Sequence, residues 1–441
     1  MSLPCLLALL ALAPIAPGEA TAGEFPAFAG AEGAGRLALG GRGGLVLRVT
    51  NLDDSGPGSL RAAVEAEGPR TVVFDIGGTI TLATPLRIRQ PRITVAGQTA
   101  PGGGITLRGQ PLLISADDVV VRYIRSRLGD EQRVEADAIT IDRGRRIILD
   151  HVSASWSVDE TLSIGSRDRV IDAVTVQWSI IAESLNLSTH AKGDHGYGSL
   201  VRGSRGARFT FHHNLWASHR ARMPRPGNYL TPDFDPVGPR FEFTNNVFYN
   251  WGQGHAGYNA DSDPATVSTY VFAANAYRRG PDSTGAVIFE EESPVAHAWF
   301  EANSMDGAVP ADPWGPVTGD DTPGYRLTAL PDWAAPASET AAQAWVSVLA
   351  RAGASKSRDA VDTRIVAGVA DGAGRIINSP GDVGGWPDLT PGMAWIDTDG
   401  DGMPDPWETA NGLDPATDDG AADRDSDGFT NLEDWLNSLA G

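Results

Sequence analysis

Seven segments of this chain superimpose when stacked: "VVVRYI" ending at Ile124, "IILDHV" at Val152, "VTVQWS" at Ser179, "FTFHHN" at Asn214, "FEFTNN" at Asn246, "YVFAAN" at Asn275 and "AWFEAN" at Asn303. The intervals between their ends are 28, 27, 35, 32, 29 and 28 residues. Most alternate apolar and polar positions at least in part, the two-residue period of a strand with one buried face. Recurrence at this spacing dictates a solenoid, because each repeat can bury its apolar face only against its neighbours. The repeats are too long for hexapeptide coils and carry no helical period. The expected fold is therefore all-β, a parallel β-helix with two or three strands per coil. Four consecutive segments end in asparagine (Asn214, Asn246, Asn275, Asn303). Asparagine tolerates the left-handed backbone and bonds locally, so a ladder of these side chains along one corner is expected.

The flanks fit the same plan. "TVVFDIGGTITL" and "ITVAGQTAPGGGITLRG" read as short strands broken by glycine-rich turns. Ahead of them, "DSGPGSLRAAVEA" reads as an N-capped helix from about Ser59, placed to cover the open end of the solenoid. The stretch from about Asp332 to Pro391 is rich in Ala and Gly, and "ETAAQAWVSVLARAG" within it reads as a helix of a C-terminal cover. The domain division expected is a signal peptide over residues 1–22, a β-helix over 23–394 and a separate tail over 395–441. The signal peptide rests on the apolar run from Leu3 to Ala16 followed by small residues, with cleavage near Ala20 or Ala22. That run is too short to span a membrane, and no later segment resembles a span. A secreted chain, extracellular or periplasmic, is expected. Its only cysteine, Cys5, lies in the signal segment, so rigidity must come from a large core and bound cations.

The formal net charge is −21, and residues Trp395 to Gly441 hold thirteen Asp or Glu against one Arg, a net of −12. Such a chain lacks the basic face that nucleic acid requires. Against that background "HRARMPRPGN" gathers Arg220, Arg222 and Arg225 beside Pro224 and Pro226. A local basic cleft can receive an acidic substrate whatever the global sign. In "EADAITID", Glu135 and Asp137 are expected on one strand face, and Asp159 of "VDETLSIG" falls at the matching place 22 residues on. Adjacent coils lie about 4.8 Å apart, so these carboxylates either form a solvated acidic face or repel unless a cation sits among them, for which Ca²⁺ with oxygen ligands is the obvious candidate. Lys192 and the arginine stretch follow. Acids, a lysine and arginines on successive coils suit a polyanionic sugar. His212 and His213 should alternate on a strand and make no zinc clamp, and His190 with His195 is no stronger.

From about Phe25 to Trp395 the chain resembles the pectate lyases of polysaccharide lyase family 1. The resemblance is carried by "VTNLDDSGPGSLRAAV", "TVVFDIGGTITL", "ITVAGQTAPGGGITLRG", "ADAITI", "LDHVSASWSVDE", "HHNLWASHRARMPR" and "FTNNVFYNW". It implies a right-handed parallel β-helix, Ca²⁺, and β-elimination of 4-linked galacturonan, with pectate as the partner of a monomeric enzyme. It implies Asp137 and Asp159 as calcium ligands with Glu135 as a third, Lys192 as a substrate-binding lysine and Arg222 as the base. Two positions depart. Ser163 stands where the family often has a further carboxylate, and Gly227 stands where it has a second arginine, leaving Arg225 close by as a substrate-binding residue. Because free arginine keeps its proton to about pH 12, an alkaline rate optimum is expected. Two other readings stay open: a β-helical glycoside hydrolase using Asp137 and Asp159 as acid and base, and a solenoid that only binds polysaccharide.

The tail carries its own pattern. "DTDGDGMPDPWE" sets Asp397, Asp399, Asp401, Asp405 and Glu408 at positions 1, 3, 5, 9 and 12 of an EF-hand loop, with Gly402 at 6. "DRDSDGFTNLED" repeats the order with Asp423, Asp425, Asp427, Asn431 and Asp434. The pair resembles the short calcium repeats that end many secreted bacterial polysaccharide-degrading enzymes. A structural clip is expected in preference to a dockerin-like docking module, with a small helical, calcium-binding tail.

Overall fold

The computed structural model describes residues 25–440, so the expected signal peptide and Cys5 lie outside the described residues. The chain winds into a parallel β-solenoid. Its first sheet has ten strands in order from Leu45–Val49 to His297–Glu301, and its second has nine from Gly78–Thr81 to Ser304–Met305. The third follows Leu86–Ile88, Leu112–Ser115, the start of Ile139–Asp150, Leu162–Ile164, Leu200–Gly203 and Arg225–Asn228. The twelve-residue strand Ile139–Asp150 runs through both the third sheet and the first, and so joins them.

Side chains of one strand face stack from coil to coil. In the third sheet Ile88, Ile114, Ile141, Ile164 and Val201 fall in one buried row. In the first sheet Val72, Val95, Val121, Leu149 and Val176 give way to Phe211, Phe243, Phe272 and Phe300. The last four stack with ring centroids 5.4, 4.8 and 4.9 Å apart. The core thus turns from aliphatic to aromatic along the axis, filling each coil in register with the next.

The expected asparagine ladder is present at the corner between the first and second sheets. Nδ2 of Asn214, Asn246 and Asn275 donates to Oδ1 of the next asparagine at 3.1, 3.0 and 2.9 Å. Each of the four also donates to a strand carbonyl at 2.8 Å (Val176, Phe211, Phe243, Phe272). Every buried amide group of the ladder is thereby satisfied. The same corner corrects one expectation. His212 and His213 do not face apart: His213 leaves the strand with φ 54°, and the two Nδ1 atoms lie 3.0 Å from each other. Alternation holds only while the chain stays extended.

Outer faces decide where a site can lie. Helix α1 (Leu60–Glu65), capped by Ser59 accepting from the Ala62 N–H, buries Leu60, Ala63 and Val64 over the solenoid's end. Buried Arg70 donates to the carbonyls of Ala63 and Val64 at 3.1 and 2.6 Å, closing that helix's C-terminus. The strap 25–44 crosses the outside of the first sheet, its backbone N–H groups donating to Asp118, Thr94, Thr175 and Thr210. Helices α2 (Ala341–Arg351) and α3 (Ala360–Ala370) cover the second sheet through Ala341, Val348, Ile365 and Val369 against Ile180, Ala182 and Leu215. The sequence foretold the first of these two. Arg127 of the second sheet pairs in the interior with Asp359 and Asp362 of that cover, the latter at 2.8 Å. In the tail, α4 (Asp405–Asn411) and α5 (Asn431–Ser438) set Met403, Leu432, Trp435 and Leu436 on Val73 and Ala96 of the first sheet. The third sheet keeps an uncovered outer face.

Candidate active site

The turns entering the third sheet supply the chemistry. Asp137 precedes Ile139, Asp159 and Glu160 precede Leu162, and Arg222 precedes Arg225. Ile139 pairs with Leu162, and Glu160, Tyr197 and Ala221 bridge in succession, so these turns stack one coil apart. Carboxylate oxygens of Asp137, Asp159 and Glu160 converge within 4.8 Å of one another. Burial, and then the charge of Asp159, pushes Asp137 up to about 7. Thr140 Oγ1 donates to Asp137 at 2.9 Å. Ser163 pairs with Thr140 on the next strand, and its buried hydroxyl stands beside Asp137. Three carboxylates and two hydroxyls gathered there are hard oxygen donors of the kind Ca²⁺ takes.

Glu135 is the correction. It was expected on a strand face with Asp137, but both lie in the turn ahead of Ile139, where two-residue alternation does not apply. Glu135 is exposed, accepts the Ala191 N–H at 2.7 Å and lies 3.8 Å from His190. Glu160 takes the third place, because the chain bends there before the strand begins.

Arg222 is half-buried in a left-handed backbone position (φ 62°). Its guanidinium pairs with Glu160, lies 3.9 Å over the Tyr197 ring, and donates from Nε to the Tyr258 hydroxyl at 3.3 Å. A charge held by a carboxylate, an aromatic face and a phenol has a fixed plane. Arg225 sits on the strand in an outward row with Leu200, 4.0 Å from Asp261 and 5.5 Å over Tyr258. Arg220 instead pairs with Asp194 at 2.7 Å. Lys192 is exposed on the turn between His190 and His195, its N–H donating to His190 Nδ1 at 3.0 Å. Those two histidines stack at 3.9 Å, and His195 Nε2 lies 3.0 Å from Asp159. Burial pulls His195 below its ordinary value. Sequence reasoning missed the contributions of Tyr197, Tyr258 and the histidine pair.

In the tail, the two loops share one hydrogen-bond pattern: the N–H of Gly402 donates to Asp397 at 2.9 Å and that of Gly428 to Asp423 at 3.1 Å. Asp397, Asp399 and Asp401 converge within 4.8 Å, as do Asp423, Asp425 and Asp427. Glu408 is buried with both carboxylate oxygens unpartnered, beside Asp401 and Asp419. Burial, then Asp401, pushes Glu408 up to about 7; burial pushes Asp401 and Asp434 up to about 6. Two expected ligands face elsewhere. Asp405 accepts from the N–H and hydroxyl of Thr398 at 2.8 and 2.7 Å. Asn431 donates to the Asp419 carbonyl at 2.9 Å, since helix α5 begins there and turns it inward. Asp419, between the two repeats, is the carboxylate the motif did not include.

Fold and site together define a parallel β-helix protein with an acidic, arginine-flanked cluster at the turns entering its third sheet. No protein-family model matches the chain. Proteins named probable pectate lyase C match it nearly end to end: that of Aspergillus flavus is 41% identical over 423 residues, covering 94% of each chain. That of Emericella nidulans is 38% identical over 441 residues, covering 98% of this chain and 96% of its own. The chain belongs to the pectate lyase family. Among solved structures, the cedar pollen allergen jun a 1 aligns with TM-score 0.52 at 18% identity, covering 73% of this chain and 92% of its own. A Bacillus sp. N165 pectate lyase in complex with trigalacturonate aligns with TM-score 0.52 at 15%, covering 74% and 98%. Both share the fold.

Proposed function

We propose that this chain is a secreted, calcium-dependent lyase that cleaves 4-linked galacturonan by β-elimination. The observation that carries the reading is the convergence of Asp137, Asp159 and Glu160 against Arg222 on the uncovered sheet. The three carboxylates would hold Ca²⁺, which when bound supplies positive charge against a uronate carboxylate. Lys192 and Arg225 grip neighbouring uronate carboxylates as charged hydrogen-bond donors. Arg222, oriented by Tyr197 and Tyr258, takes the C5 proton in its neutral form, the minor species that alkaline pH makes more abundant. The C5–H electron pair becomes the C4–C5 double bond, and the C4–O bond breaks with its electrons. The departing glycosidic oxygen then takes a proton from water. The loops of the tail would take Ca²⁺ of their own as a clip. The apolar run Leu3–Ala16 supports export.

The test is incubation with polygalacturonate and Ca²⁺, read by ultraviolet absorbance of unsaturated ends. Absorbance that grows with enzyme and vanishes with chelator is expected. Reducing ends without absorbance would turn the reading to a hydrolase.

A further inference from the structure

A second charged feature lies at the opposite edge of the same sheet, where its strands leave. A groove of about 730 Å³ opens there, lined by Arg87, Arg89, Arg143, Arg145 and Arg169, with Asp117 and Asp142 as its carboxylates. It continues into a smaller groove of about 340 Å³ lined by Arg167, Arg202 and Arg205, with Asp168 and Asp172 as its carboxylates. Arg87 and Arg169 are partly neutralised by Asp142, at 2.6 and 3.7 Å, and Arg202 by Asp261 at 2.9 Å. Among the described residues, Arg89, Arg143, Arg145, Arg167 and Arg205 have no carboxylate within ion-pair distance, and all five are exposed. They follow one another along the axis: Ile88, Ile141, Ile164 and Val201 lie in one row, and these arginines come one to four residues beyond it, Arg143 and Arg145 where the long strand passes from the third sheet to the first. At about 4.8 Å per coil the row extends for about 19 Å. Tyr229 stiffens it, with the guanidinium carbons of Arg202 and Arg167 at 4.7 and 5.8 Å from its ring.

Unneutralised guanidinium groups stacked on neighbouring coils repel one another, and the chain around them is strongly acidic. A site of this form is stabilised by an anion that repeats along a line. The acidic cluster is six residues of chain away, Asp137 to Arg143, or about 20 Å when extended. A polysaccharide segment that follows the stacked turns of the acidic cluster runs from coil to coil along that edge and leaves the arginine row free. We infer that this arginine row is a second binding site for carboxylated polysaccharide, holding a stretch of polygalacturonate other than the one being cut. The inference rests on the lyase reading for the identity of the polyanion. Guanidinium–carboxylate pairs across the row anchor the enzyme on long chains while the cleft acts on another segment. Short oligomers fill the cleft alone.

The test uses the full-length protein and Arg143→Ala/Arg145→Ala/Arg167→Ala, three exposed positions outside the catalytic and calcium machinery. Native electrophoresis through gels containing polygalacturonate measures binding without turnover. The triple variant should bind about five- to ten-fold more weakly, with a flatter dependence on salt. In kinetics its KM for polygalacturonate should rise by a similar factor, while kcat/KM for trigalacturonate stays at the wild-type value. Unchanged retardation by polygalacturonate overturns the inference. Equal loss on trimer and polymer also overturns it, since the substitutions would then be acting on the cleft or the fold. If the wild type forms no unsaturated ends, the lyase reading fails, and the gel still decides whether the row binds this polyanion.

Discussion

At the scale of single residues the cleft turns on Arg222. Its guanidinium is held by Glu160, Tyr197 and Tyr258, and lysine keeps its charge while losing the planar fork those partners fix. Arg222→Lys should lower kcat by about a hundredfold or more, the range of a lost positioned proton-transfer group, with KM for polygalacturonate within about twofold. Arg225→Lys, on a strand and facing Asp261, should raise KM more than it lowers kcat. Equal and mild effects of the two would remove Arg222 from its assignment. The residue scale also shows where sequence stops being legible. The family resemblance singles out Asp137, Asp159 and Arg222, and the structure places the two aspartates in one cluster with Glu160, which pairs with Arg222. Glu135 and Glu160 could not be ranked, because the turn before a strand follows no two-residue rule. Asp419 could not be found because its contact with Glu408 is made by the chain between two repeats, where no motif position marks it.

At the scale of elements, coil spacing and the asparagine corner were legible because each repeat writes the same local signal. The covers were less so. One cover helix announces itself through its apolar spacing and the Thr340–Gln343 capping box. The second, α3, is fixed by Asp359 and Asp362 meeting Arg127, residues more than two hundred positions away. Asp362 is buried and also accepts from Ser153 Oγ at 2.7 Å. Asp362→Ala leaves buried Arg127 short of one of its two carboxylates. Breaking one partner from such a set costs about 3–5 kcal/mol. The expected result is a lower urea midpoint with an unchanged m-value, since the folded surface stays the same. A variant as stable as wild type would mean that α3 is held by its apolar face alone.

At the scale of the whole molecule, three outer faces receive three treatments, and the candidate site lies at the third. The tail is the easiest cover to remove. If its two loops hold Ca²⁺, binding favours the folded state by mass action, by about 2.7 kcal/mol at a hundred times Kd. Chelator should therefore lower the thermal midpoint of the full chain by several degrees. Deletion of Trp395–Gly441 should lower it in Ca²⁺ to a similar extent, with most turnover retained when Ca²⁺ is present. A folded truncation without turnover would place the tail in the reaction. The strap over the first sheet has a mechanical meaning. A solenoid held only by neighbouring coils frays one turn at a time from either end. Here the strap bonds to Thr94, Asp118, Thr175 and Thr210, on coils that do not all touch one another. Like a batten nailed across planks, it shares a pull on any one turn among the others, so that under load the barrel yields in one rupture and not by unwinding.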